Sequence, residues 1–261
     1  MKVSDEVLKK ALTADEDELR TLVYHPSREV LSRILLNPNL TEDLALIIAG
    51  RRNVHPEILE TLYQNRKWKE SYYINLALCK NPKTPQKISL AQIRSLRIFD
   101  LSDLTRNKQA PIYLRTKAEA YIREKIMTMP LGIKISLARR ASSNILLKLI
   151  EDGMKDVVQV CLNNPLLTEG DISQVIHMKR IATHVIRQIA EHPKWAVRYD
   201  IQRALIRHHH TPLSCVVTYL ERIKTTDLKE LHRDPEVPKS TKPFLYRELV
   251  DRGEIIPEPT H

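Results

Sequence analysis

Apolar residues recur along this chain at helical spacing. Val30 and Ile34 form one such set, Leu44, Ile47 and Ile48 the next, then Ile58, Leu59 and Leu62, then Ile74, Ala77 and Leu78. The same beat returns at Ile201, Ala204 and Leu205. Residues three and four apart share one face of an α-helix, whereas a half-buried strand alternates at every second position. No stretch alternates cleanly, so the pattern predicts short helices of about 8–14 residues joined by tight linkers. Polar residues mark where helices should begin. Thr84-Pro85 and Thr211-Pro212 read as an N-cap hydroxyl followed by a proline at the first helical position, where its missing N–H costs nothing. Thr41 and Thr168, each followed by Glu, are further N-cap candidates with an acid near the positive end of the helix dipole.

The pattern also repeats on a longer scale. NPNLTEDLALII from Asn37 returns as NPLLTEGDISQVI from Asn164, 127 residues later. At that fixed offset Lys67-Trp68 meets Lys194-Trp195, Tyr72 meets Tyr199, Ile74 meets Ile201 and Thr84-Pro85 meets Thr211-Pro212. Asp100-Leu101 meets Asp227-Leu228, and Pro111 meets Pro238. From Pro38/Pro165 to Lys125/Arg252, 17 of 88 pairs are identical. Chance at average composition gives roughly 6%, so an internal duplication is expected. The chain's two tryptophans fall in register. Within the first copy Asn37-Pro38 and Asn81-Pro82 stand 44 residues apart, close to the roughly 40–47-residue unit of HEAT and armadillo repeats.

A helix ending in Asn-Pro, a short turn, and a new helix opening on Thr-Pro or Leu-Thr-Glu resembles bacterial HEAT-like and leucine-rich-repeat-variant α-solenoids. The resemblance runs from about Leu8 to Arg252. It implies an all-α fold, a right-handed α-α superhelix built from two tandem copies of a ~127-residue unit. The expected division is a first half at 1–134, a continuous second half at 135–252 and a flexible tail at 253–261. Some members of the variant-repeat family hold an iron–sulfur centre on clustered cysteines. Cys79, Cys161 and Cys215 lie far apart, without CxxC spacing, so neither cofactor, zinc site nor disulfide framework is expected. They align with Ile206, Ile34 and Ile88, which makes them small core residues.

Composition narrows the classes further. Gly numbers only 5 in 261 residues, which suits helices better than sheets or barrels. No run of about 18 apolar residues predicts a membrane span, and the acidic N-terminus lacks the pattern of a secretory signal. A cytoplasmic location is expected. The formal net charge is +10, and residues 71–210 hold 23 Lys/Arg against 11 Asp/Glu while both flanks are near neutral. Arg94, Arg97, Arg106, Arg115, Arg139, Arg140, Lys179, Arg180, Arg187 and Arg203 are therefore candidates for a surface that meets an anionic partner. The competing explanation is helix-end capping and plain solvation.

Trp68 and Trp195 are candidate aromatic contacts for a base or a peptide, with packing between repeats as the alternative. His208, His209 and His210 are read as a solvated turn, because consecutive helical residues diverge by about 100° and do not make one metal site. Asp100 and Asp227 are read as N-caps. There is no P-loop, GxGxxG, HExxH or GxSxG. The expected function is a non-catalytic scaffold that binds a protein or peptide. The alternative is a nucleic-acid-binding protein using the central basic surface, akin to the HEAT-like DNA glycosylases that the resemblance brings in. No residue here matches their active-site positions.

Overall fold

The computed structural model describes residues 3–255 and is all-helical, with no strand among them. It divides into two compact units, 1–124 and 125–261. The first holds α1 (Asp5–Thr13), α2 (Glu16–Leu22), α3 (Arg28–Ile34), α4 (Glu42–Gly50), α5 (Pro56–Gln64), α6 (Tyr72–Lys80), α7 (Gln86–Gln92), α8 (Ile98–Arg106) and α9 (Ile112–Lys125), which runs to the boundary. The second holds α10 (Leu131–Ala138), α11 (Ser143–Asp152), α12 (Lys155–Leu162), α13 (Glu169–Ile176), α14 (Thr183–Glu191), α15 (Tyr199–Arg207), α16 (Leu213–Leu220), α17 (Thr225–Arg233) and α18 (Lys242–Asp251). No helix among the described residues is long and apolar enough to cross a membrane.

In each unit a helix packs on its sequence neighbour and on the helix two away. In the first unit α1 meets α3, α3 meets α5, and α4 meets α6. In the second, α10, α12 and α14 form one row and α11, α13 and α15 another. The periodic apolar residues face inward. Val30, Ile34, Ile48, Leu59 and Leu62 in the first unit, and Val185, Ile189 and Leu205 in the second, have no exposed surface. Burying each such side chain is worth about 1.5–3 kcal/mol, far more than any cap, so packing holds these short helices where propensity alone would not.

Eight turns carry one hydrogen-bond scheme. They are centred on Asn37, Asn65, Asn81 and Asn107 in the first unit and on Asn164, His192, His208 and Asp234 in the second. In each, the side-chain Oδ1 or Nδ1 accepts the N–H of the residue two ahead, at 2.8–3.2 Å. The backbone carbonyl of each also accepts the N–H three ahead. At Asn37, Asn65, Asn81 and Asn164 the side-chain Nδ2 also reaches back to the end of the helix two earlier. Asn37 donates to Ala11 and Ala14, Asn65 to Leu35, Asn81 to Ala49 and Arg51, and Asn164 to Ala138. The last carbonyls of a helix have no partner within it. These amides supply one and fix the register of each row.

Cations do the same work elsewhere. Arg51 donates to the Val23 and His25 carbonyls, Lys67 to Pro38 and Leu40, and Arg252 to Leu220, Glu221 and Ile223. At the end of α11, Gly153 takes a left-handed φ of 76°, the usual way of stopping a helix without a Cβ clash.

Several local expectations are corrected. Pro85 and Pro212 occupy the caps themselves, and the helices begin one residue later, at Gln86 and Leu213. Thr84 leaves its buried hydroxyl without a partner, while Thr211 turns back to donate to the Leu205 carbonyl at 2.6 Å. Thr41 stands at the cap of α4 but makes no cap bond. Thr168 forms a full capping box with Asp171. Asp100 and Asp227 sit inside the first turns of α8 and α17 and accept a tyrosine hydroxyl instead. Cys79 and Cys161 are buried, and burial pushes both thiols up to about 12. Cys215, on α16, is only half-buried. Of the expected flexible tail, Gly253 and Glu254 still bond to Val250 and Leu249, and Glu254 pairs with Lys229 at 2.6 Å; 256–261 lie outside the described residues.

Candidate functional site

The candidate cations divide between the two units. In the first, Arg94 lies exposed in a 3₁₀ turn at Ile93–Ser95. Arg97 caps α8 and lays its guanidinium 4.5 Å from the centre of the Tyr72 ring. Arg106 ends α8, exposed and engaged by a neighbouring group. Arg115 is half-buried on α9, its Nε buried without a partner.

In the second unit Arg139 and Arg140 follow α10, and Arg139 borders a shallow depression beside Asn163, Asn164 and Pro165. Lys179 and Arg180 occupy the turn after α13, and Arg187 lies exposed on α14. Arg203 is held by Glu230 at 3.2 Å and by Asp227 at 3.8 Å. Six of the ten candidates, Arg94, Arg97, Arg139, Lys179, Arg180 and Arg187, are exposed with no acid within ion-pair distance among the described residues, and of these Arg97 is laid over the Tyr72 ring.

The tryptophans are not a platform. Trp68 is 6% and Trp195 2% exposed. The Trp195 indole donates to the Leu162 carbonyl at 2.9 Å, at the end of α12, and Trp68 makes no such bond. Lys67 and Lys194 hold their ammonium groups over the rings, at 4.6 and 4.0 Å from the ring centres. A buried ring cannot stack on a base, so both act through packing.

Tyr72, Tyr199, Asp100 and Asp227, unrelated features in the sequence, form two matched pairs. Tyr72 donates to Asp100 and accepts the Arg97 N–H at 3.0 Å; Tyr199 donates to Asp227 and accepts the Lys224 N–H at 3.1 Å. Burial first, then the carboxylate bond, pushes both phenols up from their ordinary value. Their common 28-residue separation was the available signal. Also missed was a buried ion pair, Lys134–Asp152 at 2.6 Å, with both side chains about 5% exposed. Lys134 reads as an exposed helical lysine until α10 and α11 are placed together.

The histidine triplet is more than a solvated turn. It follows α15 and meets the turns after α13 and α17 around a cleft of about 330 Å³. Ile176, Ile181 and Ala204 give the cleft its apolar part; His177, Lys179, Arg207 and Glu236 contribute its polar part. His208 and His209 stack at 4.8 Å and 15°, and His209 and His210 stand 3.9 Å apart. Burial, then the neighbouring imidazoles, depress His208 to about 4. No group of three His, Cys, Asp or Glu among the described residues is arranged to hold a metal ion.

No family model, no curated protein and no solved structure matches this chain.

Proposed function

We propose that this chain is a non-catalytic binding module, a tandemly duplicated α-solenoid of the HEAT-like kind, whose partner is a protein or peptide with an acidic segment. The duplication is supported by structure as well as sequence. Helix starts recur 127 residues apart at Arg28/Lys155, Glu42/Glu169, Pro56/Thr183, Tyr72/Tyr199, Gln86/Leu213 and Ile98/Thr225. The turn scheme, the Tyr–Asp pairs, and the bonds from Asn75 to Lys69 and from Gln202 to Ala196 repeat at the same offset.

One observation carries the binding role. The side-chain bonds at the turns use up the polar groups that set register, while Arg94, Arg139, Lys179, Arg180 and Arg187 are left extended in water without acidic partners. Four of them, Arg139, Lys179, Arg180 and Arg187, belong to the second unit, and stacked helices are a fold that offers a repeated contact surface. A polypeptide is favoured over nucleic acid because the two tryptophans that could have stacked on bases are buried.

The test is capture of partners by the whole chain, compared with a variant carrying Arg139→Gln, Lys179→Gln, Arg180→Gln and Arg187→Gln. A polypeptide retained by the native chain and lost by the variant supports the proposal. Fluorescent single- and double-stranded DNA and RNA are titrated in parallel at about 50 and 200 mM salt, the range over which phosphate contacts weaken steeply. Submicromolar, salt-sensitive nucleic-acid binding would replace the polypeptide reading with the nucleic-acid one.

A further inference from the structure

The cleft beside His208 differs from its counterpart in the first unit in a way that points to a ligand. The three turns that frame it carry Lys179, His208-His209-His210 and Glu236. The positions 127 residues earlier carry Arg52, Asn81-Pro82-Lys83 and Gln109. There Arg52 reaches across and donates to the Gln109 side chain, so the first and third turns are tied. In the second unit Lys179 and Glu236 both line the cleft and do not bond to each other, and imidazoles replace the asparagine, proline and lysine.

The chemistry of the lining is that of an anion receptor. Lys179 and His177 face the cleft from the first turn, and Arg207 from the end of α15. Arg207 is already shared between Asp234 at 2.7 Å and Glu230 at 3.2 Å, so it is oriented but largely neutralised. The Nδ1 of His208 accepts the His210 N–H at 3.2 Å. Neutral His208 must therefore carry its proton on Nε2 and keep a donor even above its titration. His209 is exposed and stacked on His208. Against this array of donors stands one carboxylate, Glu236. Three imidazole centres within 3.9–5.5 Å of one another resist joint protonation in an empty cleft. A dianion among them removes that repulsion.

We propose that this cleft binds a phosphate-monoester oxyanion, carried by a phosphorylated side chain of the partner polypeptide. The inference deepens the peptide-binding reading and rests on it for the source of the phosphate. A phosphoryl group offers three acceptor oxygens and nearly two charges at neutral pH, which matches a lysine, several imidazole donors and room beyond them for the backbone that bears it. Binding draws protons onto the imidazoles, so affinity rises as pH falls from about 7.5 to 6.5, until the phosphate itself protonates near 6.

The experiment is titration of the full chain with inorganic phosphate in chelator-containing buffer, read by calorimetry and by the NMR signals of the histidine rings. Expected are saturable shifts in the rings of the triplet and proton uptake on binding. Lys179→Gln and His209→Asn, both at exposed positions, should each weaken binding about 5- to 10-fold. Glu236→Gln should tighten it by a similar factor, which a merely structural residue would not do. Equal affinity in all three variants, or ring shifts that appear only with added nickel or zinc, overturns the site. A phosphoserine peptide that displaces phosphate, where its serine parent does not, supports the peptide source; phosphate binding without such displacement overturns that source. If the site fails while polypeptide capture persists, the binding-module reading stands and this inference alone is lost.

Discussion

Asn81 shows how much one side chain does in this fold. Its amide donates to Ala49 at 2.7 Å and to Arg51 at 2.9 Å, and its carbonyl accepts from Lys83 at 2.9 Å. The side chain is 4% exposed, so water cannot replace what is lost. Asn81→Ala should cost about 2–4 kcal/mol, since each orphaned buried group carries about 1–3 kcal/mol of desolvation. The check is the urea midpoint; a loss below about 1 kcal/mol would mean the ladder is decoration. Lys134 offers a sharper contrast. Lys134→Met alone strands the Asp152 carboxylate and should destabilise by about 3–5 kcal/mol, whereas Lys134→Met with Asp152→Leu should restore most of that loss. A double variant as unstable as the single would show that the ion pair is worth more than apolar packing at this position.

At the scale of an element, a turn whose centre is histidine titrates where its asparagine counterpart does not. His192 and His208 both offer Nδ1 to a backbone N–H, which requires the ring to be neutral. Burial lowers both, His192 in direction and His208 to about 4, with Lys194 adding to the first and His209, His210 and His177 to the second. A depressed folded value means that the unfolded chain binds the proton first. The contribution of His208 is intact above about 6.5 and is lost as pH falls through 6.5 toward 4. For a half-buried ring screened by water, that loss is on the order of 1–2 kcal/mol. His208→Asn, the residue found at position 81, should therefore flatten the acid limb of a Tm-against-pH curve and leave pH 8 nearly unchanged. A parallel downward shift at every pH would sink this account. These turns also show what could be read from the chain in advance. Helices and their spacing were legible because apolar periodicity and the 127-residue echo are local or self-comparing signals. The Asn–Pro phrase was visible too, but not that its amide bonds to a helix 26–32 residues earlier. Caps at Thr84 and Asp100 were misplaced because those side chains answer to tertiary neighbours. The cleft was hidden because it joins turns near 178, 209 and 236, none of which is informative alone.

For the whole molecule, the two units are equal in fixed charge and unequal in titratable charge. Residues 1–124 hold 21 Lys/Arg and 16 Asp/Glu, and 125–261 hold the same 21 and 16, giving +5 for each. Of the ten histidines, His25 and His55 lie in the first unit and the other eight in the second. The second unit therefore holds most of the imidazoles, and burial keeps His192 and His208 from joining any charge gained on mild acidification. An empty site that resists protonation takes up protons with its anion, by the same linkage that makes the turns acid-sensitive. Polyanion affinity, measured with polyglutamate or a phosphopeptide, should thus rise between about pH 7.5 and 6, and its salt slope should steepen as more cations join the contact. The rise should vanish when His177, His209 and His210 are changed together to Asn, and should survive loss of His25 and His55. The three residues line the cleft and are exposed or half-buried, so the triple change leaves the His208 turn bond in place. If the rise instead follows His25 and His55, or persists without the cleft histidines, the added charge acts through the general field of the protein and the second unit holds no privileged anion site.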